Sequence, residues 1–188
     1  PELAMNIITS HERADMDALA SMYAASLLYP GHHVVLPQNL NRNLRDFIAL
    51  YRDQLPFIDR RDLPKEHIGE VILVDTQAIA PMRGMDRRTH IHVIDHHVRT
   101  DPLPERTTYE GETLGAATTL LVERLDREGV DPTRVGASLM LIGIYEDTGS
   151  LSYLTTTARD AQAASWLLSH GADLEIAAEF LRRPLTDL

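Results

Sequence analysis

The sequence contains no cysteine. Disulfides, thiolate zinc sites, iron–sulfur clusters and a thiol nucleophile are excluded by that absence alone, and nothing in the chain requires an oxidising compartment. Long apolar runs are missing as well. Residues 71–74 and 139–144 fall far short of the ~20 residues that a membrane helix needs, and no signal peptide opens the chain, so it reads as a cytoplasmic protein without a membrane partner. No Gly-x-Gly-x-x-Gly follows the first strand candidate, which argues against a dinucleotide-dependent oxidoreductase. Basic charge is scarce: 18 Lys and Arg stand against 28 Asp and Glu, for a formal net charge of −10. That balance does not fit a broad nucleic-acid groove held by counterion release alone. A polyanionic substrate would need cations bound at acidic clusters, because metals reverse the local sign of the potential.

The composition itself is that of a globular chain. With 188 residues, 44% of them hydrophobic and 24% charged, one domain is expected, burying about 70% of its unfolded surface. The chain opens on Pro1 and closes shortly after Arg182-Arg183-Pro184. Residues 1–183 are therefore read as one catalytic domain and residues 184–188 as the start of a linker within a longer polypeptide.

Short apolar runs alternate with longer amphipathic segments, the pattern of a mostly parallel sheet with helices on both faces. Strands are expected at residues 5–9, 33–36, 70–74 and 90–94, with 107–109 as a fifth. Helices are expected at 16–29, 41–51, 114–127, 133–145, 158–168 and 174–181. The charged, Pro-containing segment 53–65 reads as a surface connection or a poorly formed helix. The expected fold class is α/β, a doubly wound, five-stranded, mostly parallel sheet.

Chemistry-bearing side chains collect where these elements end. His11, Asp15 and Asp17 lie across the turn from the first strand to the first helix. Carboxylates two residues apart cannot share a helix face, but on a turn they can address two neighbouring cations. Helix capping by Asp15 or Asp17 explains the pair equally well. Asp75 ends the third expected strand, and Asp95-His96-His97 end the fourth. In an open parallel sheet the carboxyl ends of the strands share one edge, and ligands bind there. Asp147 and Gly149 close an apolar helical run, as any helix C-terminus with a glycine stop would. Together these segments bring imidazoles and carboxylates to one place, at a like-charge cost that cations remove.

A donor set of imidazole and carboxylate without thiolate suits Mn²⁺, Mg²⁺ or a comparable divalent ion, in numbers sufficient for two. Two ions about 3.5–4 Å apart clamp the attacking and leaving oxygens of an in-line displacement at phosphorus. Hydrolysis of a phosphate ester or anhydride is the leading chemistry. An Asp15-x-Asp17 pair would also suit a nucleotidyl transferase, but no Gly-Ser or Gly-Gly stretch precedes it, and the His residues and Asp147 would go unused.

His11-x-x-x-Asp15-x-Asp17-Ala18, Val74-Asp75-Thr76, Asp95-His96-His97 and Asp147-Thr148-Gly149-Ser150 resemble, in order and spacing, the four motifs of the DHH phosphoesterase superfamily. Leu28-Tyr29-Pro30-Gly31, Asn43-Leu44-Arg45-Asp46-Phe47 and Leu114-Gly115-Ala116-Ala117-Thr118-Thr119 resemble the branch fused to CBS and tRNA nucleotidyltransferase/poly(A) polymerase modules. The resemblance implies a two-metal phosphoesterase acting on a nucleotide, a short oligonucleotide or polyphosphate. Mn²⁺ would be the cofactor, with Mg²⁺ or Co²⁺ as substitutes, and RNA would be reached through a full-length tRNA-processing enzyme. The alternative is a catalytically weak RNA-positioning or regulatory domain of that enzyme. By the same resemblance His11, Asp15 and Asp147 would hold one metal, Asp17 and His96 the other, and Asp75 would bridge them. His97 would face the substrate phosphoryl group, and Asp95 would orient a ligand His through a hydrogen bond; these two are the expected catalytic pair. Met16 and Ala20 stand where the family often has Pro and Gly. Nothing in the sequence resembles the second, Gly-rich and basic lobe of these enzymes.

Weaker signals remain. Arg42, among Asn39, Asn41 and Asn43, follows the second strand at the same sheet edge, and Thr118 lies in the helix-start segment 111–119. Both are candidate substrate contacts, although loop and capping chemistry also accounts for them. The pairs Arg60-Arg61, Arg87-Arg88 and Arg182-Arg183 can steer a polyanion or simply be solvated surface.

Overall fold

The computed structural model describes residues 4–99 and 102–182. Six strands form one parallel sheet: β1 (Met5–Thr9), β2 (His33–Val35), β3 (Phe57–Ile58), β4 (Ile68–Val74), β5 (His90–Asp95) and β6 (Thr107–Gly111). Among the described residues six α-helices accompany them: α1 (Met16–Leu28), α2 (Arg42–Leu50), α3 (Ala117–Glu128), α4 (Arg134–Thr148), α5 (Ala158–Ser169) and α6 (Leu174–Leu181). The strand order is β3-β2-β1-β4-β5-β6. The chain thus winds outward from β1 to β3 on one side and then crosses to β4 on the other. The order reverses between β1 and β4, and the carboxyl ends of those two strands flank the crevice where open α/β sheets take ligands.

The α/β class and the parallel sheet agree with the sequence, and two details differ. The sheet has six strands rather than five. The additional strand, β3, lies inside the segment read as a connection, and pairs with β2 through only Val34↔Phe57 and Val35↔Ile58. Two residues are too few to show the alternation that marks a strand. Helices also fail to cover both faces. Ile8, Ile72, Val74 and Ile94 join the larger core with the helices, whereas Ile7, Val71, Leu73 and Val93 join a smaller one. Among the described residues that smaller core draws on no α-helix; Ile79, Met82 and Met85 of the β4–β5 connection cover it instead. Residues 184–188, read as a linker, lie outside the described residues. No helix among those described is long and apolar enough to cross a membrane.

Two helices matter most for the site. α1 is buried without a break from Met16 to Ala25, and α4 from Val135 to Ile144, as expected of central helices that are apolar all round. Small residues set their approach: a Cβ at Gly143 would lie 2.7 Å from Ala20 Cβ and 3.1 Å from Asp17 Cα. The carboxyl end of α4 is thereby laid on the amino end of α1, where Glu146 Oε1 accepts the Met16 N–H at 2.9 Å. Asp147, one turn past Gly143, is placed beside the turn that carries Asp15 and Asp17.

Gly143→Val inserts three carbons at a contact that is already too close for one. Overpacking of this kind costs about 1–3 kcal/mol, and the thermal midpoint should fall by several degrees. An unchanged midpoint in a thermal melt would show that α1 and α4 are not held at this separation.

Candidate metal centre

The ends of β1, β4 and β5 are fixed before any ligand is placed. Thr9 Oγ1 donates to the Val35 carbonyl at 2.9 Å, and Ser10 Oγ to the Val74 carbonyl at 2.7 Å. These buried hydroxyls tie the end of β1 to both neighbouring strands just before His11. Asp75 follows β4 with φ at +58°, while its N–H still donates to Ile94 O at 2.9 Å. Left-handed backbone is uncommon for residues other than glycine, and Asp is among those that tolerate it. Through this turn the Asp75 carboxylate reaches His11 Nε2 at 3.4 Å with one oxygen and His96 Nε2 at 3.3 Å with the other.

His96 is oriented from behind. Its Nδ1 lies 2.9 Å from the Leu114 carbonyl. A carbonyl only accepts, so Nδ1 carries the proton and Nε2 is turned toward the carboxylates. Nε2 stands 3.4 Å from Asp147 Oδ2 and 4.0 Å from Asp17 Oδ2. Asp17 is wholly buried, and its two oxygens accept the N–H groups of Ala117 (2.7 Å) and Thr118 (3.0 Å). α3 has no side-chain cap of its own, so a carboxylate from α1 caps it. Asp15 caps α1 itself, accepting from Ala18 N–H at 2.9 Å. Both carboxylates therefore cap a helix and also bring an oxygen to the crevice.

The ligand atoms fall into groups within 4.8 Å of one another: His11, Asp15 and Asp75; Asp17, Asp75, His96 and Asp147; and Asp75, His96 and His97. Asp75 belongs to all three. This grouping differs from the partition that the resemblance implied: Asp147 stands with Asp17 and His96 rather than with His11 and Asp15. The packing of α4 on the start of α1 decides it, a relation that linear spacing does not contain.

Asp95, expected to orient a ligand His through a hydrogen bond, is paired with the ring of His97 and not with that of His96. Its Oδ1 accepts from His97 Nδ1 at 2.7 Å and from the His96 backbone N–H at 2.9 Å, while Gln77 Nε2 donates to Oδ2 at 2.8 Å. His97 is exposed and, with His11, Asp15, Asp75 and Asp147, lines an open depression of about 510 Å³. Among the described residues no Lys or Arg lines it.

Two expected substrate contacts are not brought there. Thr118 is fully buried, with its hydroxyl 3.1 Å from that of Ser21 and 3.3 Å from the Asp17 carbonyl. The start of α3 is occupied by Asp17 and is closed to a phosphate. Arg42 opens α2 with its side chain in solvent, 3.9 Å from Asp46, and does not line the depression. Gln77, Glu146 and the Leu114 carbonyl serve the site without a motif to mark them: Glu146 is signalled only by adjoining Asp147, and a backbone carbonyl leaves no signature in side-chain pattern.

Burial, then the charges of Asp75 and Asp147, push the Asp17 carboxyl well above its ordinary range. Burial, then Asp75, raises Asp15. Burial, then Asp15 and Asp75, pushes Asp147 up to about 7. Burial alone would lower His96, but the neighbouring carboxylates of Asp75 and Asp17 carry it to about 10. Burial would raise Asp75, yet the imidazoles of His11 and His96 beside it hold it below the usual carboxylate range. Protons thus supply the positive charge when no metal is bound. Asp75 Oδ1 and His96 Nε2 are buried without a hydrogen-bond partner, and a divalent ion between them would satisfy both. The residues present fit such an ion.

A family model described as the DHH family, N-terminal domain, matches residues 6–144. An A-adding tRNA nucleotidyltransferase of Geobacter sulfurreducens is 38% identical over 188 residues, which is 97% of this chain but only 21% of the relative's length. A candidate manganese-dependent inorganic pyrophosphatase of Thermotoga maritima is 34% identical over 114 residues, covering 58% of this chain and 20% of its own. The crystal structure of a candidate family II inorganic pyrophosphatase from Methanococcus jannaschii has the same fold, with a TM-score of 0.72 and 21% identity over 94% of this chain and 60% of that one.

The Asp95 carboxylate, through its hydrogen bond first, raises the His97 pKa above 6.5 because it stabilises the imidazolium. Asp95→Asn removes that charge, so the His97 midpoint should fall toward 6.5 when its ring protons are titrated by NMR in the metal-free protein. A midpoint that does not move would show that the pair is not formed.

Proposed function

The chain belongs to the DHH family as its N-terminal domain, and from that premise we propose that it is a divalent-metal-dependent phosphohydrolase module. Its bond would be a phosphodiester or phosphoanhydride of a nucleotide, a short oligonucleotide or a polyphosphate, and its setting a tRNA-processing nucleotidyltransferase. The observation that carries this reading is the sharing of Asp75 by two ligand groups at the switch point of the sheet, with one of its oxygens unpaired. His11 and Asp15 would complete one site, and Asp17, His96 and Asp147 the other. Mn²⁺ suits these oxygen and imidazole donors and is the metal named for the Thermotoga relative.

Bound divalent ions supply an activated water and offset charge on the phosphoryl oxygens. The chain's own groups do the rest. The Leu114 carbonyl keeps the His96 proton on Nδ1, which leaves Nε2 as a lone-pair donor. Asp95, itself held by Gln77, binds His97 through Nδ1 and favours its protonated form, and the ring, which lines the depression, would then donate to a phosphoryl oxygen as charge develops there. One observation favours the alternative of a catalytically weak RNA-positioning domain: among the described residues no Lys or Arg lines the depression to grip a substrate.

After dialysis against Mn²⁺ the chain should retain about two equivalents, and with the metal it should hydrolyse bis-p-nitrophenyl phosphate; Asp75→Asn should lose one or both equivalents and about 100-fold or more in rate. Full retention in that variant would remove the bridging role, and two bound ions without hydrolysis would favour the positioning role. Metal loading must displace protons from groups such as Asp147, which titrates at about 7. Mn²⁺ affinity should therefore be weaker at about pH 6 than at about pH 8, and calorimetric titrations giving the opposite order would contradict the ligand set.

A further inference from the structure

Beside the acidic centre the same sheet edge gathers charge of the opposite sign. Where β2 and β3 end against α2, a cleft of about 490 Å³ is lined by Arg45, Arg52, Arg60 and Arg61. A second cleft of about 360 Å³ shares Gln38, Arg60 and Arg61 with the first and adds Lys65 and Arg83. Six of the 18 Lys and Arg in a chain of net charge −10 thus line one continuous groove, against a single lining carboxylate among the described residues, Asp59, which lies 3.3 Å from Arg61. Its floor is apolar, made by Leu36, Leu40, Ile48, Leu55 and Phe57.

The groove is joined to the metal centre through one side chain. Glu12, next to His11, accepts the Gln38 backbone N–H at 3.1 Å and lies 3.5 Å from Arg60 Nη1. Arg60 also donates to the Pro81 carbonyl at 2.6 Å, which fixes its guanidinium between the two clefts. β2 is the immediate neighbour of β1, so the groove begins about 5 Å, one strand spacing, to the side of the strand that delivers His11.

We propose that this groove binds the flanking nucleotides of a single-stranded oligonucleotide whose cleaved phosphate lies at the metal centre. The inference rests on the phosphohydrolase reading and names the substrate class of that site. Guanidinium groups match phosphate oxygens in geometry as well as charge, and an apolar floor gives the faces of bases a surface to lie on. Pyrophosphate is too short to use the groove, and a polyphosphate would meet its charges but leave its floor bare.

The test is fluorescence anisotropy of a labelled five-residue oligothymidylate with the full chain in EDTA, where nothing is cleaved. Saturable binding is expected at about 50 mM salt, weakening as salt rises. Replacing Arg52 and Arg61 by Ala, both in solvent and thus no threat to folding, should weaken binding about tenfold and flatten the salt slope by about 1.4, the value for two lost phosphate contacts on a single strand. Arg134→Ala, at the start of α4, should change neither. The proposal is overturned if no saturable binding appears, if the double variant binds like the parent, or if polyphosphate of equal charge displaces the strand as well as an unlabelled oligonucleotide does. Because no metal is present, these outcomes are separate from the fate of the phosphohydrolase reading, which the Asp75 variant decides.

Discussion

Four carboxylates, Asp15, Asp17, Asp75 and Asp147, share one crevice with His11 and His96, and their mutual repulsion is the constraint on which the rest of this structure depends. Two like charges 4 Å apart cost about 4 kcal/mol at the effective dielectric of a protein surface, and a whole domain is stable by only about 5–15 kcal/mol. The arrangement is sustainable because positive charge is inserted between the acids. Without metal, His96 and His11 supply it from either side of Asp75, and the remaining three carboxyls are pushed upward toward protonation. With two divalent ions, the same oxygens would become ligands.

The groups that crowd the crevice also hold the fold together. Asp17 closes the start of α3, Asp15 the start of α1, and Glu146 joins α4 to α1. The candidate metal centre is therefore part of the scaffold, and binding energy from an ion held there would feed into helix packing. The contact at Gly143 has the same double meaning, since it sets both the separation of the two central helices and the distance from Asp147 to the β-strand ends. On the flank, the six cations around β3 give the molecule a charge division along one edge, acidic where ions would sit and basic where a chain of phosphates would run.

Much of this was legible in the sequence, for identifiable reasons. β1 and β4 lie at the middle of the sheet, apolar on both faces, and so read as continuous hydrophobic runs. The candidate ligands stood out because they close elements whose ends must share one edge. What was not legible depends on tertiary relations. The grouping of Asp147 with His96 follows from how α4 lies on α1, and the attachment of Asp95 to His97 from the turn after β5. The hydroxyl of Thr118 has the sequence position of a substrate contact but serves Asp17 and Ser21. β3 is too short to carry a pattern, and the β4–β5 connection covers a sheet face without helical periodicity. The net charge of −10 argued against a basic groove because a sum over the chain carries no positions. Arg45, Arg52, Arg60, Arg61, Lys65 and Arg83 come together only when β3 joins the sheet.

The central claim is that one carboxylate, Asp75, joins two ligand groups into a single two-ion centre. Electron paramagnetic resonance of the metal-free protein titrated with Mn²⁺ tests it most directly. Two ions on a shared carboxylate are spin-coupled, so the account predicts a broad coupled spectrum that grows to two equivalents, with the six-line signal of free Mn²⁺ emerging only beyond them. Saturation at one equivalent with an isolated six-line spectrum would contradict it.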